Sequence, residues 1–233
     1  MASVRQVVLD TETTGIDPAQ GHRVIEIGAV EVVDRRITGA HFHEYLNPDR
    51  QSDPEAVRIH GITDAFLLDK PRFAEIAGSF LAFLGEDQLV IHNASFDLGF
   101  LNAELRRSDL PVLGNPVLDT LTEARRRHPG QKNDLNSLCR RYGVDNSQRT
   151  LHGALLDCQI LADVYMAMTG GQVDMGLLPG DGSPDSGAGA PAGGNVQAAR
   201  RNLRVLLADA EARAAHENYL AGMGDGALWS RQS

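Results

Sequence analysis

Cysteine is scarce: Cys139 and Cys158 are the only two in 233 residues. They are too few and too far apart for a disulfide framework or a cysteine metal site, so a reducing, cytoplasmic setting is expected. No run approaches the roughly 18 to 20 apolar residues that a membrane-spanning helix needs. The first ten residues, MASVRQVVLD, carry one basic residue and pass directly into a strand-like run, and no signal peptide is expected. Positive charge is also short. The formal net charge is -9, and Lys70 and Lys132 are the only lysines among 22 basic residues. Such a chain cannot hold nucleic acid by a broad basic surface, because that kind of binding needs Lys and Arg against the phosphates. If nucleic acid is the substrate, the positive field must come from elsewhere.

What is present is ordinary for a globular protein, with 42% hydrophobic and 23% charged residues. Residues 4 to 10 read as a strand. HRVIEIGAVEVV (22 to 33) and ITGAHFHEYLNP (37 to 48) read as two more, joined tightly by DRR in an antiparallel meander. FAEIAGSFLAFLG (73 to 85) has helical spacing and stops at Gly85. QLVIH (88 to 92) is a short buried strand, FDLGFLNAELRR (96 to 107) a helix, and VLDTL (117 to 121) a further strand. Asn133 is expected to cap a helix that runs to Gly143, and GALLDCQILADVYMAM (153 to 168) is the last strong helix before a Gly-Gly pair. Strands first, then strands alternating with helices, predict a mixed α/β sheet with helices packed on it.

Composition then shifts. PGDGSPDSGAGAPAGGN (179 to 195) contains no large apolar residue and cannot offset the entropy of ordering, so a flexible linker is expected over 171 to 195. The segment after it reads as a helix with Leu203, Leu206, Leu207 and Ala210 on one stripe, and Trp229 lies near the end. A single apolar stripe has no core of its own. It needs a partner surface.

The chemistry is concentrated in three places. In VVLDTETTG, Asp10 and Glu12 stand two apart at the end of a strand and project to the same side. Two such carboxylates repel unless a cation lies between them, and hard cations such as Mg²⁺ favour oxygen ligands; a strand end with solvated acids is the plainer reading. In LVIHNASFDLGFL, Asp97 falls in the first turn of a helix, where an acid also suits the helix dipole. In LHGALLDCQILADVY, Asp157 sits within an apolar helix, and a carboxylate facing the core there is costly unless compensated. His152 precedes it by five residues, about 140° off the same helical face. It shares a site with Asp157 only from the loop that enters the helix.

DTETTG, HNASFD and H-x-x-x-x-D, in that order, resemble the three motifs of the DEDD-type 3′-5′ exonucleases, in the subtype that carries histidine. The stretches RTLHGALLDCQILADVYMAMTGGQ and FLLDKPRFAE are similar to the members that proofread for bacterial replicative polymerases. The resemblance covers residues 4 to about 170. It implies a ribonuclease H-like fold, a mixed five-stranded sheet with flanking helices, for an exonuclease domain of residues 1 to 170. It further implies that Asp10, Glu12 and Asp157 ligate the tighter of two divalent ions, Mg²⁺ or Mn²⁺, and that Asp97 reaches the second through waters. Such a pair clamps the attacking and leaving oxygens at phosphorus, with His152 as general base. Nucleoside 5′-monophosphates leave one at a time from a DNA 3′ end, and the ions supply the positive charge that the surface lacks.

The same resemblance assigns contacts with the terminal nucleotide to Asp10, Glu12, Thr13, Thr14, Gly15, Ile16, Glu55, His60, Asn93, Phe96 and Asp157, with His92 nearby. Thr13 to Ile16 as an ordinary turn, and Phe96 as core, are the alternatives. Asp119 reads as structural. The basic run ARRRHPGQK (124 to 132) reads either as a strand-steering patch or as a solvated helix end. QVDMGLL (172 to 178) resembles sliding-clamp-binding peptides through Gln172, Met175 and Leu177, and the tail of residues 196 to 233 resembles a polymerase-docking segment. Some bacteria add a small accessory subunit to such a domain. The competing readings are a free-standing exoribonuclease of the same fold, for which linker and tail are idle weight, and a non-catalytic assembly module, which the complete set of chemical residues disfavours.

Overall fold

A computed structural model describes residues 3–170 and 210–223 of the chain. The chain divides into a unit of residues 1–178 and a second of 179–233. The first begins with β1 (Arg5–Thr13), β2 (Val24–Val33) and β3 (Arg36–Tyr45), the expected antiparallel meander. Asp34 and Arg35, at φ 48° and 63°, form the two-residue turn between β2 and β3, the left-handed pair that suits the twist of a hairpin. Two short helices that were not expected follow, α1 (Pro54–His60) and α2 (Asp64–Leu67). Then come α3 (Phe73–Leu84), β4 (Gln88–Ile91), α4 (Ala94–Arg107), β5 (Val117–Asp119), α5 (Thr120–Arg127), α6 (Leu135–Tyr142) and α7 (Ala154–Thr169). The sheet order is β3-β2-β1-β4-β5, with β4 parallel to both β1 and β5. This is the mixed five-stranded sheet with flanking helices that the motifs implied.

Alternation along β1 explains the layers. Val7 and Leu9 join a core with Phe73, Phe80 and Phe100 from α3 and α4, whereas Val8 joins Leu138, Cys158, Leu161 and Val164 from α6 and α7. Asp10 and Glu12 share the parity of Val8 and therefore head for the α7 side. A half-buried ion pair closes the first layer: Arg23 Nε and Nη2 donate to the two oxygens of the buried Glu104 at 2.6 and 2.7 Å.

Several boundaries differ from expectation: β1 runs on to Thr13, and β5 ends at Asp119 rather than 121 because Thr120 opens α5, whose N-terminus Asp119 caps. The cap of α6 is Asp134, whose Oδ1 accepts from Ser137 N at 2.9 Å; Asn133 instead donates to the carbonyls of His128 and Gln131. The adjacent aspartate has the reach, and Asn133 is spent on the preceding turn. α4 starts at Ala94 rather than 96, because Asn93 takes a left-handed φ of 70° and turns the chain straight out of β4. β3 ends at Tyr45, before the expected 48, since Leu46 N bonds Ile25 O and Asn47 N turns to Pro71 O.

Among the described residues, no helix is long and apolar enough to cross a membrane. In the second unit, the described residues form α8 (Ala210–Met223). Gln172, Met175, Leu177, the linker expectation, the stripe of Leu203 to Leu207 and Trp229 lie outside the described residues.

Candidate active site

Gly28 lies opposite Asp10 in the β1–β2 ladder, and its missing side chain decides where α7 can sit. A Cβ at Gly28 would lie 2.4 Å from the backbone of Ala154 and Leu155, so the first turn of α7 rests directly on β2. Cys158 fixes that contact by donating its thiol hydrogen to Gly28 O at 3.1 Å. Asp157, one turn into the helix, is thereby brought over the end of β1. It is 4% exposed, and its neighbours in the same cleft are Asp10 and Glu12.

Asp97 arrives from the other layer. The turn at Asn93 places it in the first turn of α4, 3% exposed, where its Oδ1 accepts from both Thr11 N (3.0 Å) and Thr11 Oγ1 (2.7 Å). Thr11 lies between Asp10 and Glu12, so the strand that carries two acids also grips the third. All four line one cleft of about 420 Å³ together with His92, Phe96, Asp134, Asn136, Arg149 and His152. His152 is on the loop before α7, as its angular offset required, and its backbone N–H donates to Ile59 O at 3.1 Å.

Gathering acids in so dry a place has a large electrostatic cost. Burial first, then the charges of Asp97, Glu12 and Asp157, push Asp10 well above the usual carboxylate range. Burial and the neighbouring Glu26, Asp157 and Asp97 raise Glu12 to about 8. Burial raises Asp97 to about 7 against the lowering effect of its Thr11 hydrogen bonds. His152 is held below its ordinary 6.5 by burial and by Arg149, opposed by Asp157. One cation already answers part of this charge: Arg149 Nε and Nη2 grip the two oxygens of Asp157 at 2.5 and 2.6 Å. Ligand atoms of Glu12, His152 and Asp157 lie within 4.8 Å of one another. That close group holds two carboxylates and a histidine, and Asp10 and Asp97 add their carboxylates to the same cleft; mutually repelling oxygen donors with an arginine drawn among them fit a hard divalent cation.

A second cleft of about 260 Å³ shares Glu12 and Phe96 with the first and adds Thr13, Gly15, Ile16, Asp53, Glu55 and His60. Ile16 stands 82% exposed at its mouth. Gly15 is required by its neighbour, since a Cβ there would meet the His22 ring at 2.3 Å; that ring also contacts Thr14 Oγ1 at 3.1 Å through Nδ1. His60 ends α1, and burial lowers its pKa. Phe96 packs on Phe100 at 5.0 Å between ring centres while facing both clefts. Asn93 belongs to neither wall. Asp119 caps α5 by accepting from Leu121 N, the structural role expected of it. The basic run ends α5, with Arg126 and Arg127 paired to Glu123 at 2.7 and 2.6 Å.

Sequence reading missed Arg149 and Glu26. Arg149 stands three residues before His152 in a polar loop and gives no signal beyond its charge. Glu26 pairs with Glu12 across the ladder, is 2% exposed, and meets His43 Nε2 at 2.7 Å; an acid in the middle of VIEIGAV is itself a sign of a buried polar partner.

The chain matches the exonuclease family over residues 7–165. It is 49% identical to the DNA polymerase III subunit epsilon of Escherichia coli K12 over 239 aligned positions, covering 98% of each chain. It is 53% identical to that of Haemophilus influenzae over 178, covering 73% of this chain and 70% of the other. Among solved structures it is similar to exonuclease X in complex with 5′-overhanging duplex DNA (TM-score 0.57, 30% identity), covering 71% of this chain and 91% of that one. It also shares its fold with E. coli exonuclease I in complex with a dA16 oligonucleotide (TM-score 0.63, 20% identity), covering 72% and 41%.

Proposed function

The chain belongs to the exonuclease family, in the group of DNA polymerase III epsilon subunits, and from that premise we propose that Asp10, Glu12, Asp97 and Asp157 hold two divalent ions around the 3′-terminal phosphodiester. The activity is that of a 3′-5′ exonuclease that proofreads DNA synthesis within the replicative polymerase. The observation that carries the site assignment is the convergence of four acids and one histidine, from three separate stretches of chain, on one cleft.

In this reading Asp10, Glu12 and Asp157 bind one ion, and Asp97, held by Thr11, serves the second through water. Bound there, Mg²⁺ or Mn²⁺ supplies the charge that acidifies a water and stabilises the departing 3′ oxygen. The protein's own part is to position and to move a proton. His152, kept neutral near pH 7, takes the proton of the attacking water at Nδ1, the nitrogen 3.6 Å from Asp157 Oδ2. The second cleft receives the terminal nucleotide: Thr13, Gly15, Ile16 and Phe96 contact sugar and base, with Glu55 and His60 at its far wall. Asn93 acts through the backbone turn that aims Asp97.

Residues 1–170 form the nuclease domain, 171–195 the linker with a clamp-binding peptide at Gln172, Met175 and Leu177, and 196–233 the tail. The tail engages the alpha subunit of DNA polymerase III and the peptide engages the beta sliding clamp, in the cytoplasm. Truncation after Gly170 tests this organisation. Nuclease activity is expected to persist while co-purification with the alpha subunit is lost; a truncated chain that still co-purifies contradicts the docking assignment.

A further inference from the structure

Arg149 is anchored more completely than a surface arginine has any need to be. Its side chain is only 6% exposed, although it belongs to the polar loop between α6 and α7. Every nitrogen of the guanidinium has a partner inside the cleft. Nε and Nη2 hold Asp157 at 2.5 and 2.6 Å, Nη1 donates to Asn136 Oδ1 at 3.0 Å, and Nη2 also meets His152 Nδ1 at 3.0 Å. Asn136 is in turn held by Asn146 Nδ2 at 2.8 Å. Arginine only donates, so His152 Nδ1 is the acceptor, and the neutral ring must carry its hydrogen on Nε2. In this arrangement one side chain covers both oxygens of a proposed ligand and the lone pair of the proposed base.

We propose that Arg149 is the resident counter-cation of the site, which occupies Asp157 and His152 Nδ1 in the metal-free protein and is displaced from both by the divalent ion. The inference rests on reading the four acids as a cation site, and it adds a coupling to that reading. A carboxylate gripped at both oxygens by a planar fork keeps one further lone pair on each, but its charge is already answered and its plane is held toward the arginine rather than toward a metal. A base whose lone pair is already hydrogen-bonded to a fixed cation cannot take a proton from water. The same movement frees both, so hydrolysis is unavailable until metal is present. Arg149 is a positioning residue here, acting through Asp157 and His152.

The test is calorimetric titration of Mn²⁺ alone into the full metal-free chain, comparing wild type with Arg149→Gln. Removal of the competing cation should tighten Mn²⁺ binding about tenfold, the equivalent of one charge-assisted hydrogen bond no longer broken. A merely structural arginine predicts the opposite, because a loosened loop would weaken the site. Equal or weaker binding by the variant overturns the inference and leaves the cation-site reading intact; absence of Mn²⁺ binding by the wild type overturns both. A second readout needs no variant. The Arg149 Nε–H resonance of the wild type, shifted by its bond to Asp157, should move on addition of Mg²⁺ together with the His152 Nδ1 signal. If both stay in place at saturating Mg²⁺, the displacement does not occur.

Discussion

Replacing Gly28 by alanine adds one methyl group at the point where α7 meets the sheet. That carbon would lie 2.4 Å from Ala154 C and Leu155 N and 2.5 Å from Ala154 O. Carbon atoms pack at roughly 3.5 to 4.0 Å, so α7 must retreat by about 1 Å. All the atoms in the way are backbone, and no rotamer change relieves the contact. Overpacking of this kind costs about 1 to 3 kcal/mol, which for a domain of this size lowers Tm by roughly 5 to 10 °C at the upper end. The retreat carries Asp157 away from Asp10 and Glu12, and a displacement of about 1 Å at a reacting centre costs on the order of 100-fold in rate. Thermal unfolding and 3′-nucleotide release, measured on the same preparation below the new Tm, separate the two effects. A Gly28→Ala protein that melts and cleaves like the wild type would refute the account of how α7 is seated and with it the means by which Asp157 reaches the site.

Other expectations follow from the same structure. Gly78, exposed in α3, has nothing within 4 Å of a Cβ, so Gly78→Ala should stabilise by about 0.5 to 1 kcal/mol in urea unfolding with activity unchanged; destabilisation would mean that the helix is strained there. Arg23→Met leaves Glu104, 1% exposed, with only the longer contacts to Arg107 and Val24, and should cost about 3 kcal/mol, whereas the double change with Glu104→Met should recover most of it. A double variant as unstable as the single one contradicts that assignment. The pH dependence has a definite sign. Glu12 is raised from 4.5 to about 8 and Asp97 from 3.8 to about 7, so their contribution to the stability of the metal-free fold is full below their ordinary values and is lost as pH rises through 7 and 8. Mg²⁺ relieves that loss, and the rise in Tm it produces should be larger at pH 8.5 than at pH 6; an equal or smaller rise at pH 8.5 contradicts the repulsion argument.

The parts of the fold legible in the sequence were those with strong local periodicity. The strands around Val8, Ile27 and Val90, and the helices ending at Gly85 and Thr169, follow from alternation or helical spacing with a stop signal. α1 and α2 were not legible, because seven- and four-residue helices fall below the window in which periodicity can be counted. Asn133 and Asp134 are both good caps, and only the reach to Ser137 N distinguishes them. At the site, Asp10, Glu12, Asp97, His152 and Asp157 were singled out through the resemblance of their three motifs, taken in order, to those of an exonuclease family; position alone left solvated strand-end acids and a helix-dipole acid as the plainer readings. Arg149 and Glu26 were not singled out. Their roles depend on where a polar loop returns and on which residue lies across a ladder, both of which are set by long-range packing.

The central claim, that these acids bind the ions that cleave the last phosphodiester, is tested most directly by product analysis on a 3′-mismatched DNA primer with Mg²⁺, comparing wild type, wild type with chelator, and Asp157→Ala. The account predicts stepwise release of nucleoside 5′-monophosphates from the 3′ end by the wild type alone. Undiminished release by Asp157→Ala, or by the wild type after its divalent ions have been removed, would contradict it.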